Sequence, residues 1–184
     1  MSKILVPLAT GFEELEAVTI IDVLRRGGLN VFIGSVDGKP EVLGAHNIGV
    51  RVDVAVSELN SDEIDMIVLP GGWDGTRALA NDPNIQRLLQ ELDAQNKSIG
   101  AICAAPFALE QAGVLKKEFT CYPSVEEEIK TGGYHPDQKV VRSANVTTSR
   151  GPGTAICFAL EIVKDRVGEE KYKELKAGLL ADFC

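Results

Sequence analysis

The sequence lacks any hydrophobic run that approaches the length of a membrane span. A helix needs about 20 consecutive apolar residues to cross a bilayer, and no such stretch occurs among the 184 residues. The N-terminal stretch MSKILVPLA also contains too few apolar residues for a signal peptide. We therefore expect a cytoplasmic protein with no membrane partner.

An excess of positive charge is also missing. The chain has 19 Lys and Arg against 27 Asp and Glu, which gives a formal net charge of −8. Proteins that bind nucleic acids or anionic membranes need clustered positive charge to neutralise phosphates. The composition therefore argues against a nucleic-acid partner.

Metal-binding and disulfide patterns are absent as well. None of the four cysteines belongs to a Cys-x-x-Cys motif, and only two histidines could complete a zinc site. The glycine-rich stretch 70–75 does not have the spacing of a dinucleotide fingerprint. We therefore expect no metal, no cofactor and no disulfide framework. The cysteines are Cys103, Cys121, Cys157 and Cys184, and the histidines are His46 and His135.

The chain does contain a regular alternation of strand-like and helix-like segments, with no repeat or linker between them. Short apolar runs are each followed by stretches with helical periodicity, which predicts a mostly parallel sheet with helices on both faces. A length of 184 residues suits one such α/β domain, and we take 1–184 as a single unit. The loops after the strands should meet at the carboxyl edge of the sheet, where open α/β sheets bind ligands.

The stretch KSIGAICAAPFAL, residues 97–109, predicts a strand, a sharp turn and a helix, with Cys103 at the turn. Small neighbours allow the tight turn, as in the nucleophile elbow of hydrolases. Unpaired N–H groups at a helix start favour a negative charge, so we expect the thiol to ionise more easily than a free cysteine, whose pKa is about 8.5. The alternative is an inert packed cysteine, and the local pattern alone does not separate the two.

Glu16 lies on the wrong face of the first predicted helix. At 100° per residue it falls between Ile20 and Val23, on the arc that should face the sheet, whereas Glu14 falls on a charged, solvated face. A buried carboxylate is costly unless it is partnered or protonated. The alternative is a first-turn acid that the helix dipole stabilises, and Glu13 lies near the same arc in that turn.

Two glycine-containing loops follow other predicted strands. Residues 71–75, in the sequence GGWDG, can expose backbone N–H groups that bind an anion, although such a loop alone is weak evidence and can be a simple tight turn. Residues 149–154, in the sequence SRGPGT, lead into another helix. Both loops should gather beside Cys103.

Four motifs in register, GFEELEAV, VLPGGWDG, AICAAP and TSRGPGTA, resemble the ThiJ/PfpI superfamily, specifically the branch of the parkinsonism-associated deglycase. The resemblance extends over nearly the whole chain. It implies a flavodoxin-like sandwich, related to class I glutamine amidotransferases, that is usually a homodimer.

The resemblance also assigns roles to residues. It implies that Cys103 is the reactive residue and that Glu16 hydrogen-bonds to it. It further implies that the backbone N–H groups of Gly72 and Ala104 bind an oxyanion. The expected lining residues are Glu13, Tyr122 and Arg150.

Two positions depart from the pattern of the superfamily. Peptidase-like members have histidine directly after the cysteine, where this chain has Ala104, so that proteolytic dyad is missing. The deglycase branch often has histidine where this chain has Tyr122, and tyrosine, with a pKa near 10, is a poor base at neutral pH. Glu16 is therefore the expected acid and base.

The resemblance implies a cofactor-free thiol enzyme that acts on small reactive carbonyls. The reaction is either glyoxalase-type conversion of methylglyoxal or glyoxal to a hydroxy acid, or removal of early glycation adducts from proteins or nucleotides. A different class of function is a redox-sensing stress or chaperone protein that uses oxidation of Cys103. A peptidase or amidotransferase is the weaker alternative, because Ala104 disfavours it. The first two functions both use a reactive cysteine, so the sequence does not separate them.

Overall fold

A seven-stranded sheet forms the centre of the protein, and helices cover both of its faces. The computed structural model describes residues 3–184. The strands are β1 (Lys3–Leu8), β2 (Asn30–Ser35), β3 (Glu41–Leu43), β4 (Gly49–Arg51), β5 (Val54–Ala55), β6 (Met66–Leu69), β7 (Ser98–Ile102), β8 (Val140–Ser143) and β9 (Val146–Ser149). The α-helices are α1 (Glu14–Arg26), α2 (Trp73–Asn81), α3 (Pro83–Ala94), α4 (Pro106–Gln111), α5 (Ala155–Arg166) and α6 (Glu169–Gly178).

The strand order places several loops at one edge of the sheet. The order is β5-β2-β1-β6-β7-β9-β8, and all neighbouring pairs are parallel except β8 with β9. The strands β3 and β4 form a separate antiparallel hairpin. Because β1, β6, β7 and β9 are parallel neighbours, the loops that follow them meet at their carboxyl ends. This arrangement is the mostly parallel α/β sheet that the strand–helix alternation predicts, and it matches the flavodoxin-like sandwich that the family resemblance implies.

The two faces of the sheet belong to two separate hydrophobic clusters. In β1, alternate side chains point to opposite faces, so Ile4 and Val6 join one cluster while Leu5 joins the other. The first cluster contains the buried faces of α1 and α5, and the second contains those of α3 and α4. Helices therefore cover both faces, as the strand–helix alternation predicts.

Local predictions are wrong at three places. The glycine-rich stretch after β6 leads directly into α2, a helix that the sequence pattern did not indicate, with Gly72 in a positive-φ conformation before the first turn. The stretch FTCY at 119–122 has a sequence pattern that predicts a short strand, but it forms only one isolated bridge, between Phe119 and Tyr134. Ser124 and Glu127 have the spacing that predicts a capping box, but Ser124 has φ 82° and its side chain makes no capping hydrogen bond.

The expectation of no disulfide is wrong as well. Cys157, on α5, is bonded to Cys184, with Cα atoms 5.1 Å apart and a sequence separation of 27 residues. A cross-link of this span is expected to stabilise a fold by about 3 kcal/mol, mainly by restricting the unfolded chain. Nothing in the sequence indicates the pairing, because two isolated cysteines become neighbours only after the segment that follows α6 packs against α5.

None of the helices formed by residues 3–184 combines the length and the apolar character that crossing a membrane requires.

Candidate active site

Cys103 occupies the turn between β7 and α4, as the sequence predicts. Its backbone has φ 62°, a left-handed conformation that is strained for a residue other than glycine and that clusters at functional sites. The turn is held from both sides: the Cys103 N–H donates to the carbonyl of Ser149, and the Tyr122 N–H donates to the carbonyl of Cys103, each at 2.9 Å. The side chain is nearly buried, with 8% exposed. This geometry matches the sharp turn of a nucleophile elbow.

Glu16 is completely buried on α1, on the sheet-facing arc that made it conspicuous in the sequence. Its Oε2 atom accepts the Gly71 N–H at 2.7 Å. The Oε1 atom has no well-aligned donor among the described residues, and the Cys103 thiol interacts with this carboxyl group. One carboxyl oxygen is therefore fixed by the backbone, and the group is free to exchange a proton with the thiol.

Gly71 lies next to both of these side chains and leaves room for them to approach each other. The sequence pattern did not indicate this role. A Cβ atom added to Gly71 would lie 2.6 Å from the Cβ of Cys103, 3.0 Å from its sulfur and 2.7 Å from Oε2 of Glu16. Real Cβ atoms essentially never approach other atoms below 3.0 Å. The missing side chain therefore lets the carboxyl group and the thiol meet. The only sequence signal was a glycine at the end of a buried strand.

The two predicted oxyanion donors do face the cysteine. The backbone N–H groups of Gly72 and Ala104 both act on the Cys103 thiol and lower its pKa, against the larger effect of burial. Gly72 has φ 86°, a conformation that side chains rarely adopt, so the turn at this position favours glycine. Preorganised N–H pairs of this kind stabilise negative charge that develops on a nearby atom.

Burial dominates the electrostatics of the pair. It raises the pKa of Glu16 from 4.5 to about 7, against the opposing effect of the Gly71 and Cys103 hydrogen bonds. Burial also raises the pKa of the Cys103 thiol, and the nearby charge of Glu16 raises it further. The prediction of a lowered thiol pKa is therefore wrong, because Cys103 is more buried than expected and its only close ionisable partner among the described residues is an acid. The thiol can lose its proton most easily to Glu16 itself.

The raised pKa of Glu16 makes stability depend on pH. The folded state holds the Glu16 proton more tightly than the unfolded chain, so the free energy of unfolding falls as pH rises from about 4.5 to about 7. The Glu16→Gln variant has no carboxyl group that must ionise in the protein interior. We therefore expect it to be more stable than the wild type by about 3 kcal/mol at pH 8. The difference should vanish near pH 4. Urea denaturation of both proteins at pH 4, 6 and 8 measures it, and a pH-independent difference would contradict the assignment.

The side chains of Glu13 and Glu14 bind to different parts of the structure. Glu13 is the N-cap of α1, and its carboxylate accepts the Glu16 N–H at 2.8 Å, so it lies beside the site as predicted. The placement of Glu14 on a solvated face is wrong. Its side chain is buried and accepts the backbone N–H of His46 at 2.5 Å and the His46 ring Nδ1 at 2.8 Å. Glu14 therefore fastens the β3–β4 hairpin to the start of α1.

Glu13, Glu14 and His46 are also the one set of described residues whose geometry could hold a metal ion. One ligand atom of each lies within 4.8 Å of the others. The Glu14–His46 hydrogen bond already raises the pKa of His46, which opposes metal binding because a ligand histidine must be neutral. Glu13, Glu14 and His46 are therefore not proposed as a metal site.

Tyr122 and Arg150 line a cleft next to the elbow. The cleft has a volume of about 310 Å³ and is lined by Tyr122, Pro123 and residues 150–154. Backbone hydrogen bonds join Cys103 to Ser149 and to Tyr122, so the cleft lies next to the elbow turn. The structure therefore brings all of the predicted site residues to one edge of the sheet, as the loop positions suggest.

Comparison with known proteins decides the family. The sequence model described as the DJ-1/PfpI family matches residues 2–165. The chain belongs to the DJ-1/PfpI family. This confirms the resemblance that the four sequence motifs carry.

Relatives within the DJ-1/PfpI family match along almost the full length. Protein dj-1beta of Drosophila melanogaster is 39% identical over 186 residues and covers 100% of both chains. A Caenorhabditis elegans relative named glutathione-independent glyoxalase DJR-1.2 is 40% identical over 164 residues, which are 89% of this chain and 87% of the relative.

Solved DJ-1 structures confirm the fold. The crystal structure of Drosophila DJ-1beta superposes with a TM-score of 0.94 at 39% identity and covers 98% of both chains. A structure described as oxidized DJ-1 from Toxoplasma gondii superposes with a TM-score of 0.92 at 34% identity, with 98% of both chains covered. The family therefore combines this architecture with at least one glyoxalase-named member.

Proposed function

We propose that this protein is a cofactor-free, cysteine-dependent enzyme that converts small α-oxoaldehydes such as methylglyoxal to hydroxy acids. The observation that carries the proposal is the buried Glu16 carboxyl group, which has a pKa raised to about 7 and interacts with the Cys103 thiol. A general base is most effective when its pKa is close to the working pH. Removal of early glycation adducts from proteins or nucleotides is the closely related alternative substrate class.

The first step is addition of the Cys103 sulfur to the aldehyde carbon. Glu16 takes the thiol proton as the carbon–sulfur bond forms. The carbonyl oxygen then becomes an oxyanion, which the N–H groups of Gly72 and Ala104 stabilise. Return of the proton from Glu16 gives a hemithioacetal and regenerates the carboxylate.

The second stage moves a proton between the two substrate carbons. The Glu16 carboxylate removes the proton from the former aldehyde carbon and delivers it to the adjacent carbon through an enediol. The first carbon is thereby oxidised to a thioester of Cys103, and its neighbour is reduced to an alcohol. Water then hydrolyses the thioester and releases the hydroxy acid and the thiol, so the reaction needs no outside oxidant or reductant.

We also propose that the protein is a homodimer located in the cytoplasm. Four large apolar side chains are exposed on α1 and on the hairpin that Glu14 fastens to it, and a second copy of the chain would cover them. They are Leu15, Val18, Leu43 and Ile48.

The test of the proposed function is conversion of methylglyoxal and glyoxal by the wild-type protein without glutathione. Product should be followed as lactate and glycolate, because loss of the aldehyde alone can reflect simple adduct formation. We expect continuous production over many turnovers per protein molecule. Absence of product, or product that stops at one equivalent, would contradict the proposal.

A redox-sensing role is the second candidate, because protonated Glu16 can donate a hydrogen bond to an oxygen atom on the Cys103 sulfur. Such a bond would stabilise a sulfinate on the oxidation ladder. Oxidation in the absence of turnover would favour this candidate. Intact mass and peptide mapping after one equivalent of peroxide should show oxygen atoms gained on the Cys103 peptide.

Gly71→Ala is expected to lower turnover by about 100-fold while leaving the fold intact. The added Cβ forces Cys103 and Glu16 apart, and a misplacement of about 1 Å in a reacting group can cost this much. Gly132→Ala is the matched control, since a Cβ there would contact nothing within 4 Å and Gly132 lies outside the site. The two rates and the two thermal unfolding curves should be compared. Equal activity of the two variants would contradict the geometry of the site.

A further inference from the structure

The Cys157–Cys184 disulfide forms part of the wall of a second cavity. This cavity has a volume of about 490 Å³, and both cysteines line it together with residues of β8, of β9, of α5 and of the loop before β8. A cavity of this size can hold a small organic molecule. The proposed reaction at Cys103 uses none of the lining residues, so a function for this disulfide must be sought separately.

The two sulfur atoms of the disulfide differ in accessibility. Cys157 lies on α5 with only 5% of its surface exposed, whereas Cys184 is only partly buried. In thiol–disulfide exchange a thiolate must reach one sulfur atom while the other leaves. Cys184 is therefore the sulfur that a thiol in the cavity can attack, and Cys157 is the leaving group. Cys157 belongs to the first turn of α5, where the helix dipole favours the departing thiolate.

The charges that remain free in the cavity are mainly negative. Arg142 is already paired with a carboxylate of α5, and the Lys139 ammonium donates a hydrogen bond to the carbonyl of Phe183. The carboxylates of Asp137 and Glu161 also line the cavity, and neither forms an ion pair within residues 3–184. The cavity therefore suits a ligand that carries a positive charge.

One cation outside the cavity competes for Glu161. The Glu169 carboxylate raises the pKa of Lys164 most, and the charge of Glu161 raises it further. The Lys164 ammonium is paired with Glu169 at 3.2 Å, and Lys164 is not among the lining residues of the cavity. The Glu161 carboxylate therefore remains available to an ammonium group that enters the cavity.

We propose that this cavity binds a small aminothiol, which reduces the Cys157–Cys184 bond by thiol–disulfide exchange. The aminothiol thiolate attacks the Cys184 sulfur, and as the new sulfur–sulfur bond forms, Cys157 leaves as a thiolate and takes up a proton. A second aminothiol then attacks the sulfur of the first and releases the Cys184 thiol. Two aminothiols are thereby oxidised to one disulfide, and the protein disulfide is reduced to two thiols.

This inference goes beyond the proposed function, because it assigns a second reactive site that does not involve Cys103. It agrees with the cytoplasmic location proposed above. Disulfides of cytosolic proteins are usually transient and serve catalysis or redox sensing, since the surrounding thiol pool reduces them. The Cys157–Cys184 bond is therefore a reversible cross-link, opened and closed by the small thiols that reach its cavity.

Two thiols of nearly equal size test the proposal on the native protein purified without reductant. Cysteamine carries an ammonium group and mercaptoacetate carries a carboxylate. The rate at which each opens the disulfide is followed by acid quenching, alkylation and peptide mass spectrometry. Because the two reagents differ in intrinsic reactivity, the cysteamine-to-mercaptoacetate rate ratio is compared between proteins. We expect Glu161→Gln and Asp137→Asn each to lower this ratio about twofold to fivefold, the effect of one partly exposed ion pair.

Glu91→Gln is the matched control, because it removes the same charge from α3, on the opposite face of the sheet, where Glu91 pairs with Arg87. Its rate ratio should equal that of the wild type. Samples of the wild type that are quenched before the reaction is complete should also contain a mixed disulfide. We expect the peptide that contains Cys184, and not the peptide that contains Cys157, to carry the cysteamine.

Four results would overturn the proposal. The first is a purified protein that lacks the disulfide, or a disulfide that neither thiol opens until the protein is denatured. The second is an unchanged rate ratio in both Glu161→Gln and Asp137→Asn, and the third is an equal fall in Glu91→Gln, which would mean that net charge alone determines the ratio. The fourth is cysteamine attached to Cys157. None of these results bears on methylglyoxal conversion, so the proposed function is tested separately.

Discussion

Cys103→Ala is expected to lower the rate of methylglyoxal conversion by at least about 10³-fold. The variant removes the atom that forms the covalent bond to substrate, and loss of an enzymatic nucleophile commonly has effects of this size or larger. Alanine is smaller than cysteine, so it fits the space, and it also removes the charge interaction with Glu16. Product formation at saturating substrate measures the loss.

Cys121→Ala is the control for this prediction. Cys121 is the other free cysteine of the described chain, is fully buried, and has its thiol pKa raised to about 12, mainly by burial. The variant should retain most of the activity. Similar losses in both variants would mean that damage to packing, and not loss of the nucleophile, explains the effect of Cys103→Ala.

Glu16→Gln is expected to lower turnover by about 10² to 10⁴-fold, the usual contribution of general acid–base catalysis. The amide oxygen can still accept the Gly71 N–H, so the geometry of the site should survive. The variant cannot take the thiol proton or move a proton between the substrate carbons. Its activity should therefore be low at every pH, whereas that of the wild type should rise with pH through about 7 as Glu16 ionises.

Glu14→Gln is the matched control on the same helix. Glu14 is also buried, but its carboxylate binds the β3–β4 hairpin through His46, away from the thiol. We expect its turnover to stay within a few-fold of the wild type. A loss equal to that of Glu16→Gln would contradict the assignment of the base to Glu16.

The sequence was sufficient for the fold and for the position of the candidate residues at one edge of the sheet. Period-2 and period-3.6 patterns identify buried strands and helix faces, and the rule for parallel sheets then places the following loops together. The angular position of Glu16 on a helical wheel places it on the sheet-facing arc, and the structure decides between a buried carboxyl group and a first-turn acid that solvent reaches. Cys103 is conspicuous because small residues surround it at a strand–helix junction.

The details that were missed depend on tertiary contacts. Glu14 is buried by a hairpin that folds back over α1, and a helical wheel contains no information about that hairpin. The Cys157–Cys184 bond depends on how the segment after α6 packs. The direction of the Cys103 pKa shift depends on how completely the loops exclude water, which local sequence does not specify.

The most direct test of the proposed mechanism is conversion of methylglyoxal in deuterated water, with the lactate analysed by NMR. If Glu16 moves a proton between the two substrate carbons through an enediol, the proton on its carboxyl group can exchange with solvent before it is delivered, so part of the lactate should carry deuterium at C2. Cys103→Ala and Glu16→Gln should produce almost no lactate. Lactate formed by Glu16→Gln at the wild-type rate would contradict the proton-transfer role of Glu16, and equal lactate from Cys103→Ala would contradict the claim that Cys103 is the nucleophile.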